Sequence, residues 1–88
     1  MKELKIKKTE IEKQKSFIAK LRANGYLVFK LNDSYIAGLP DIMAIKDGVV
    51  RFIELKNKDR AGAKLSLEQV HLHSKMLEHG VEVEVIYL

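Results

Sequence analysis

Between Thr9 and Asn24 the apolar residues recur at helical spacing. At about 100° per residue, Ile11, Phe17, Ile18 and Leu21 fall on one arc. Thr9 and Glu12 match a capping box, and Gly25 stands where a left-handed residue closes a helix, so a helix is expected over Thr9–Asn24. Glu10 and Gln14 lie inside its apolar arc, whereas Glu12 lies on the solvated side. Tyr26–Leu31, aromatic and β-branched, reads as a strand, and the polar stretch Asn32–Leu39 as a loop. Asp41–Lys46 and Val49–Lys56 then read as a hairpin joined by Asp47-Gly48, the favoured two-residue turn. Met43, Ile45, Val50 and Phe52 share one face of it; Ile42, Ala44, Ile53 and Leu55 share the other. Apolar residues on both faces predict a central strand pair covered on both sides. Asn57–Leu65 is a polar loop. Ser66 with Gln69 forms a second capping box and opens a helix that Gly80 ends, with Gln69, Val70, His73, Met76 and Leu77 on its inner arc. Met43, Phe52 and Met76 are expected in the core, and His73 as a hydrogen-bonded core histidine; His71 and His79 face outward. Val81, Val83 and Val85 alternate with Glu82 and Glu84, as in a last strand at a sheet edge or paired on one face. The order αβββαβ predicts an α/β fold, a mixed sheet flanked by helices.

A chain of 88 residues is enough for one domain, taken as residues 1–88 with a basic lead-in up to Lys8. Its core is small, so marginal stability or help from a partner subunit is expected. The absence of cysteine excludes disulfides and thiolate metal sites. No apolar run reaches the length of a membrane span or of a signal h-region, and from the charged start a cytoplasmic location is expected. A net charge of +4 favours a polyanionic partner only weakly, so the placement of the charges matters more than their sum.

That placement is informative in the hairpin. With a two-residue turn, Lys46 faces Val49. The opposed pairs then run Ile45 with Val50, Ala44 with Arg51, Met43 with Phe52, Ile42 with Ile53 and Asp41 with Glu54. Asp41 and Glu54 become a direct cross-strand pair, their Cβ atoms roughly 5 Å apart. Lys56, at i+2 from Glu54, points to the same face. Two opposed carboxylates in an apolar hairpin repel each other and resist desolvation. Mg²⁺, which binds one or two carboxylates plus water, would relieve both effects and favour phosphodiester hydrolysis. Lys56 would orient the attacking water or stabilise developing charge. The plainer reading is a solvated hairpin end with Lys56 as ion-pair partner. Glu10, on an apolar arc where an unpaired carboxylate is costly, favours the cation; first-turn placement at a helix dipole is its alternative. Gln69 is either a capping residue alone or a holder of substrate or water. Lys30, Lys58, Arg60 and Lys64 flank the pair in sequence and suit phosphate contact; Tyr35, in the loop before Asp41, suits stacking. No Gly-rich loop joins a strand to a helix, so no nucleotide cofactor is expected.

Gly38-Leu39-Pro40-Asp41 followed by Glu54-Leu55-Lys56 resembles the PD-(D/E)xK nuclease signature. Glu10 with Gln14 before it, and Leu65-Ser66-Leu67-Glu68-Gln69 after it, resemble the VRR-NUC branch of that superfamily, over Thr9–Leu88. The resemblance implies a restriction-endonuclease-like core and Mg²⁺- or Mn²⁺-dependent hydrolysis of DNA. It implies metal ligation by Glu10, Asp41, Glu54 and the Leu55 carbonyl, a catalytic role for Lys56 alongside the two carboxylates, and an auxiliary one for Gln69. It further implies a small homodimeric enzyme of a bacterium or phage-infected cell, acting on branched DNA such as Holliday junctions. The competing expectation is a non-catalytic nucleic-acid-binding module with a nuclease-like fold.

Overall fold

The computed structural model describes residues 9–32, 35–60 and 63–88; the expected lead-in at residues 1–8 lies outside them. Helix α1 spans Glu10–Ala23. Thr9 caps it: its hydroxyl accepts the Glu12 N–H, and the Glu12 carboxylate accepts the Thr9 N–H, each at 3.2 Å. Gly25 follows with φ +88°. Strand β1 (Leu27–Lys30) is shorter at both ends than the sequence suggests. Strands β2 (Ile42–Lys46) and β3 (Val49–Lys56) form the expected hairpin, with Asp47 at φ +51° and Gly48 at φ +77°. Both central turn residues therefore have positive φ, as a type I′ turn requires. Helix α2 (Leu67–Glu78), capped by Ser66, crosses to β4 (Val83–Tyr87), two residues later than the first valine of the alternating run.

The sheet order is β1-β2-β3-β4; the first two pairings are antiparallel and β3 runs parallel to the edge strand β4. A parallel pair needs a crossover, and α2 supplies it. The hairpin register pairs Lys46 with Val49 and Ile42 with Ile53, as the turn length dictates. Chain order and mixed sheet match the α/β architecture expected.

The two sheet faces differ. Val28, Ile42, Ala44 and Ile53 point to one, where Ile18 and Leu21 of α1 bury them and Phe17, Leu55 and Ile86 pack alongside. On the opposite face α2 lies toward β3 and β4, and Val81 N–H donates to the Met76 carbonyl at the end of the crossover. One helix of 12 residues does not span four strands. Met43, Ile45 and Phe52 are thus half-buried and Val50 is exposed, correcting the expectation of full cover on both sides. Met76 is half-buried too. Ile11 leaves the core because the first turn of α1 overhangs a cleft instead of the sheet. Val70 and Leu77 are also exposed. The inner side of α2 is set by Gln69, which reaches β3, and carries Leu72, His73 and Met76. No helix among the described residues is long and apolar enough to cross a membrane.

Candidate active site

Pro40 is fully buried at the entry to β2 and fixes the start of the strand, where Asp41 sits. The Asp41 carbonyl accepts the Leu31 N–H at 2.7 Å, extending the β1–β2 ladder by one bond. Its carboxylate accepts the Leu55 N–H at 2.9 Å, across the hairpin. Glu54 is on the same sheet face as Asp41 and Lys56, which is the face α2 covers. It is 1 % exposed, the one buried charged side chain among the described residues. Gln69, in the first turn of α2, organises the group. Its amide nitrogen donates to Glu54 Oε1, and its oxygen accepts from Lys56 Nζ at 2.8 Å and from the Ser66 N–H at 2.9 Å. Capping and site contact are therefore one arrangement, and the two readings of Gln69 do not compete.

Glu54 Oε2 is buried and finds no donor. Burial pushes the Glu54 carboxyl up to about 8; the Asp41 carboxyl within hydrogen-bonding reach raises it further, and Lys56 pulls the other way. Two carboxylates cannot hydrogen-bond to each other without a proton between them, so this contact calls for either a shared proton or a cation. A hard divalent ion fits this donor set: two oxygen-bearing side chains, one orphaned oxygen atom, and an open side for water.

That open side is a cleft of about 290 Å³ bounded by Glu10, Gln14, Asn32, Asp41, Glu54, Lys56, Arg60 and Gln69, among others. Glu10 lines it from the start of α1, yet its carboxylate is turned to Arg60, at 3.2 Å. Its side chain is 52 % exposed, so Glu10 is not the costly buried carboxylate expected. Among the described residues no three acidic or imidazole side chains converge on one point. Of the basic and aromatic residues expected at nucleic acid, Arg60 lines the cleft; Lys30, Lys58, Lys64 and Tyr35 are exposed outside its wall.

Lys13 carries no sequence signal. Lys13 Nζ donates to Asn57 Oδ1 (2.7 Å), to Asp59 Oδ2 (2.9 Å) and to the Leu88 carbonyl (3.0 Å), tying α1 to the segments that leave β3 and β4. Its partners are distant in sequence, and one lysine among many does not announce them. Asn32 donates to Gln14 at 3.4 Å. His73 is held against the Gly38 carbonyl, linking α2 to the loop before Pro40, and burial lowers its pKa; it is half-buried and its Nε2 has no partner, so the expected hydrogen-bonded core histidine is met at one nitrogen only.

No family model and no curated protein matches the chain. A solved structure described as a VRR_NUC domain does: it is 31% identical, with a TM-score of 0.70, over 84% of this chain and 78% of that one. The chain belongs to the VRR-NUC domain family. It is thus a nuclease-type domain, and its sheet with helices on both faces is the fold of that VRR-NUC neighbour. The clustering of Asp41, Glu54, Lys56 and Gln69 in one cleft is the feature of this VRR-NUC chain that bears on chemistry.

Proposed function

We propose that this VRR-NUC domain is a Mg²⁺-dependent endonuclease of the PD-(D/E)xK type, with Mn²⁺ as a substitute. It hydrolyses DNA phosphodiester bonds, preferring branched DNA such as a Holliday junction, and works as a homodimer. The observation that carries this reading is the buried Glu54. A carboxylate with an orphaned oxygen beside a second carboxylate, in an open cleft, is destabilising unless a cation completes it. Asp41 and Glu54 would hold that cation, with the Leu55 carbonyl as a further donor and Glu10 within the same cleft. When bound, the cation supplies Lewis acidity toward the scissile phosphate.

The remaining chemistry belongs to the chain. Gln69 keeps the Lys56 ammonium directed into the cleft, where it orients the attacking water and stabilises charge developing on the phosphate. Because Gln69 also holds Glu54, its capping of α2 fixes lysine and carboxylate together. Arg60, Lys30, Lys58 and Lys64 supply backbone contacts, and fully exposed Tyr35 is free to stack on an unpaired base. We take the whole chain as one catalytic domain, residues 1–8 contributing basic charge.

The test is cleavage of labelled four-way junctions, flaps, linear duplexes and single strands of DNA and RNA. Wild type and Lys56→Ala are compared in Mg²⁺, Mn²⁺ or EDTA. Metal-dependent cutting of branched DNA is expected, lowered at least about 100-fold in the variant with binding retained. Equal cutting by a folded Lys56→Ala protein would remove the assignment. Binding without turnover under every condition would favour the non-catalytic module.

A further inference from the structure

The ion pair between Arg60 and Glu10 crosses the mouth of the cleft that holds Asp41 and Glu54. Its geometry is that of a contact made to be exchanged. One guanidinium nitrogen meets one carboxylate oxygen at 3.2 Å, and the side chains are 68% and 52% exposed. Pairs of this kind contribute little to stability, so either partner is readily taken by a stronger ligand. The Arg60 backbone, in contrast, is pinned: its N–H donates to the Asn57 carbonyl and its carbonyl accepts the Ala63 N–H, both at 3.1 Å. Side-chain rotation alone is enough to release it. Glu10 is anchored equally firmly, in the first turn of a helix capped by Thr9.

We propose that this pair is a latch coupling cation binding to nucleic-acid binding. A divalent ion arriving at Asp41 and Glu54 draws Glu10 away from Arg60. The freed guanidinium, whose planar fork matches a phosphate bidentately, then takes the nucleic-acid backbone at the cleft mouth. Without the ion, Glu10 competes with phosphate for the guanidinium. Arg60 is thereby a positioning residue for the third carboxylate and a conditional phosphate ligand. The inference rests on the metal-dependent reading above.

Mn²⁺ binding by calorimetry on the full chain tests the latch without reference to turnover. The proteins are wild type, Arg60→Gln, Glu10→Gln and the double variant. Removing the competitor should tighten Mn²⁺ binding about two- to fivefold in Arg60→Gln, whereas Glu10→Gln weakens it. In the Glu10→Gln background the Arg60 substitution should change nothing, because the carboxylate it competed for is gone. With Ca²⁺ in place of EDTA, a labelled junction should gain less affinity for Arg60→Gln than for wild type. Unchanged or weaker Mn²⁺ binding in Arg60→Gln overturns the latch. So does a tightening that persists without Glu10, since removal of positive charge alone would then explain it. A wild-type protein that binds no cation overturns the metal-dependent reading itself, an outcome distinct from either.

Discussion

At 1 % exposure Glu54 has lost most of its hydration, and what replaces the lost water decides how the protein responds to pH. One Gln69 amide proton is available to it; burial first, and Asp41 after it, raise its pKa from 4.5 to about 8. Between those values the cation-free folded protein holds a proton that the unfolded chain has released. The contribution is therefore fully present below about pH 4.5 and is lost as pH rises through about 8. His73 acts oppositely: its lowered pKa removes stability as pH falls below 6.5. Comparing wild type with Glu54→Gln, which keeps the hydrogen bonds and removes the titration, isolates the carboxyl. Denaturant unfolding in EDTA should show the wild type losing on the order of 2 kcal/mol relative to the variant between pH 5 and about 8, allowing for proton sharing with Asp41. Mg²⁺ should restore most of it. A constant difference across that range would mean that the pair is already relieved by contacts within the chain. At this scale the sequence was legible where a hard constraint existed. A two-residue turn admits one register, so Asp41, Glu54 and Lys56 could be placed on one face from spacing alone. Glu10 had no such constraint. A helical arc states which way a residue points, and not whether the surface opposite is protein, a cleft or an arginine from a distant loop.

At Gly38 the loop before Pro40 passes close against the start of α2. A Cβ built there would lie 2.3 Å from the Glu68 carbonyl oxygen, at a φ of +87°. The short distance lets His73 reach the Gly38 carbonyl and sets α2 at the height where Gln69 meets Glu54. Gly80 makes a natural control: its φ is +84°, yet nothing lies within 4 Å of its Cβ position. Gly80→Ala should cost about 1 kcal/mol, the left-handed backbone penalty alone. Gly38→Ala should cost at least about 3 kcal/mol, because α2 must also move, and it should reduce cleavage in proportion to the lost Gln69 contact. Chemical denaturation of both variants checks this; equal losses would show that α2 is not seated on the loop. The helices and hairpin themselves were readable from caps and turns, since capping boxes and positive-φ residues act locally. The rotation of α2 was readable in part: Gln69, His73 and Met76 lie inward as the arc predicts, whereas Val70 and Leu77 are exposed, because Gln69 and His73 hold the helix through partners in other elements.

For the whole molecule, the uneven covering of the sheet matters more than its topology. One face is closed by α1. On the other, Leu27 is 57 %, Phe29 44 % and Val50 50 % exposed, beside half-buried Met43, Ile45 and Phe52. By register these residues adjoin across β1, β2 and β3, forming one apolar surface on the face that also carries Asp41, Glu54 and Lys56. A chain of 88 residues gains little from its own core, and leaving such a surface in water forgoes a large part of the burial available to it. The proposed homodimer would cover it, and a twofold axis through this face would set two clefts in a fixed relation, as paired cuts across a symmetric junction require. The edge strand β1 is a poorer meeting place, because Arg22 already donates to the Val28 carbonyl at 3.2 Å and blunts that edge. Phe29→Lys places a charge on the open face. It should raise the dimer dissociation constant at least about tenfold while changing monomer stability by under about 1 kcal/mol, since Phe29 is nearly half exposed. Sedimentation equilibrium of both proteins reads the first quantity and denaturant unfolding the second. A wild type that is monomeric at tens of micromolar would sink the dimer. If a wild-type dimer exists and Phe29→Lys leaves it intact, the subunits meet elsewhere, and the open sheet face is available to the nucleic acid itself.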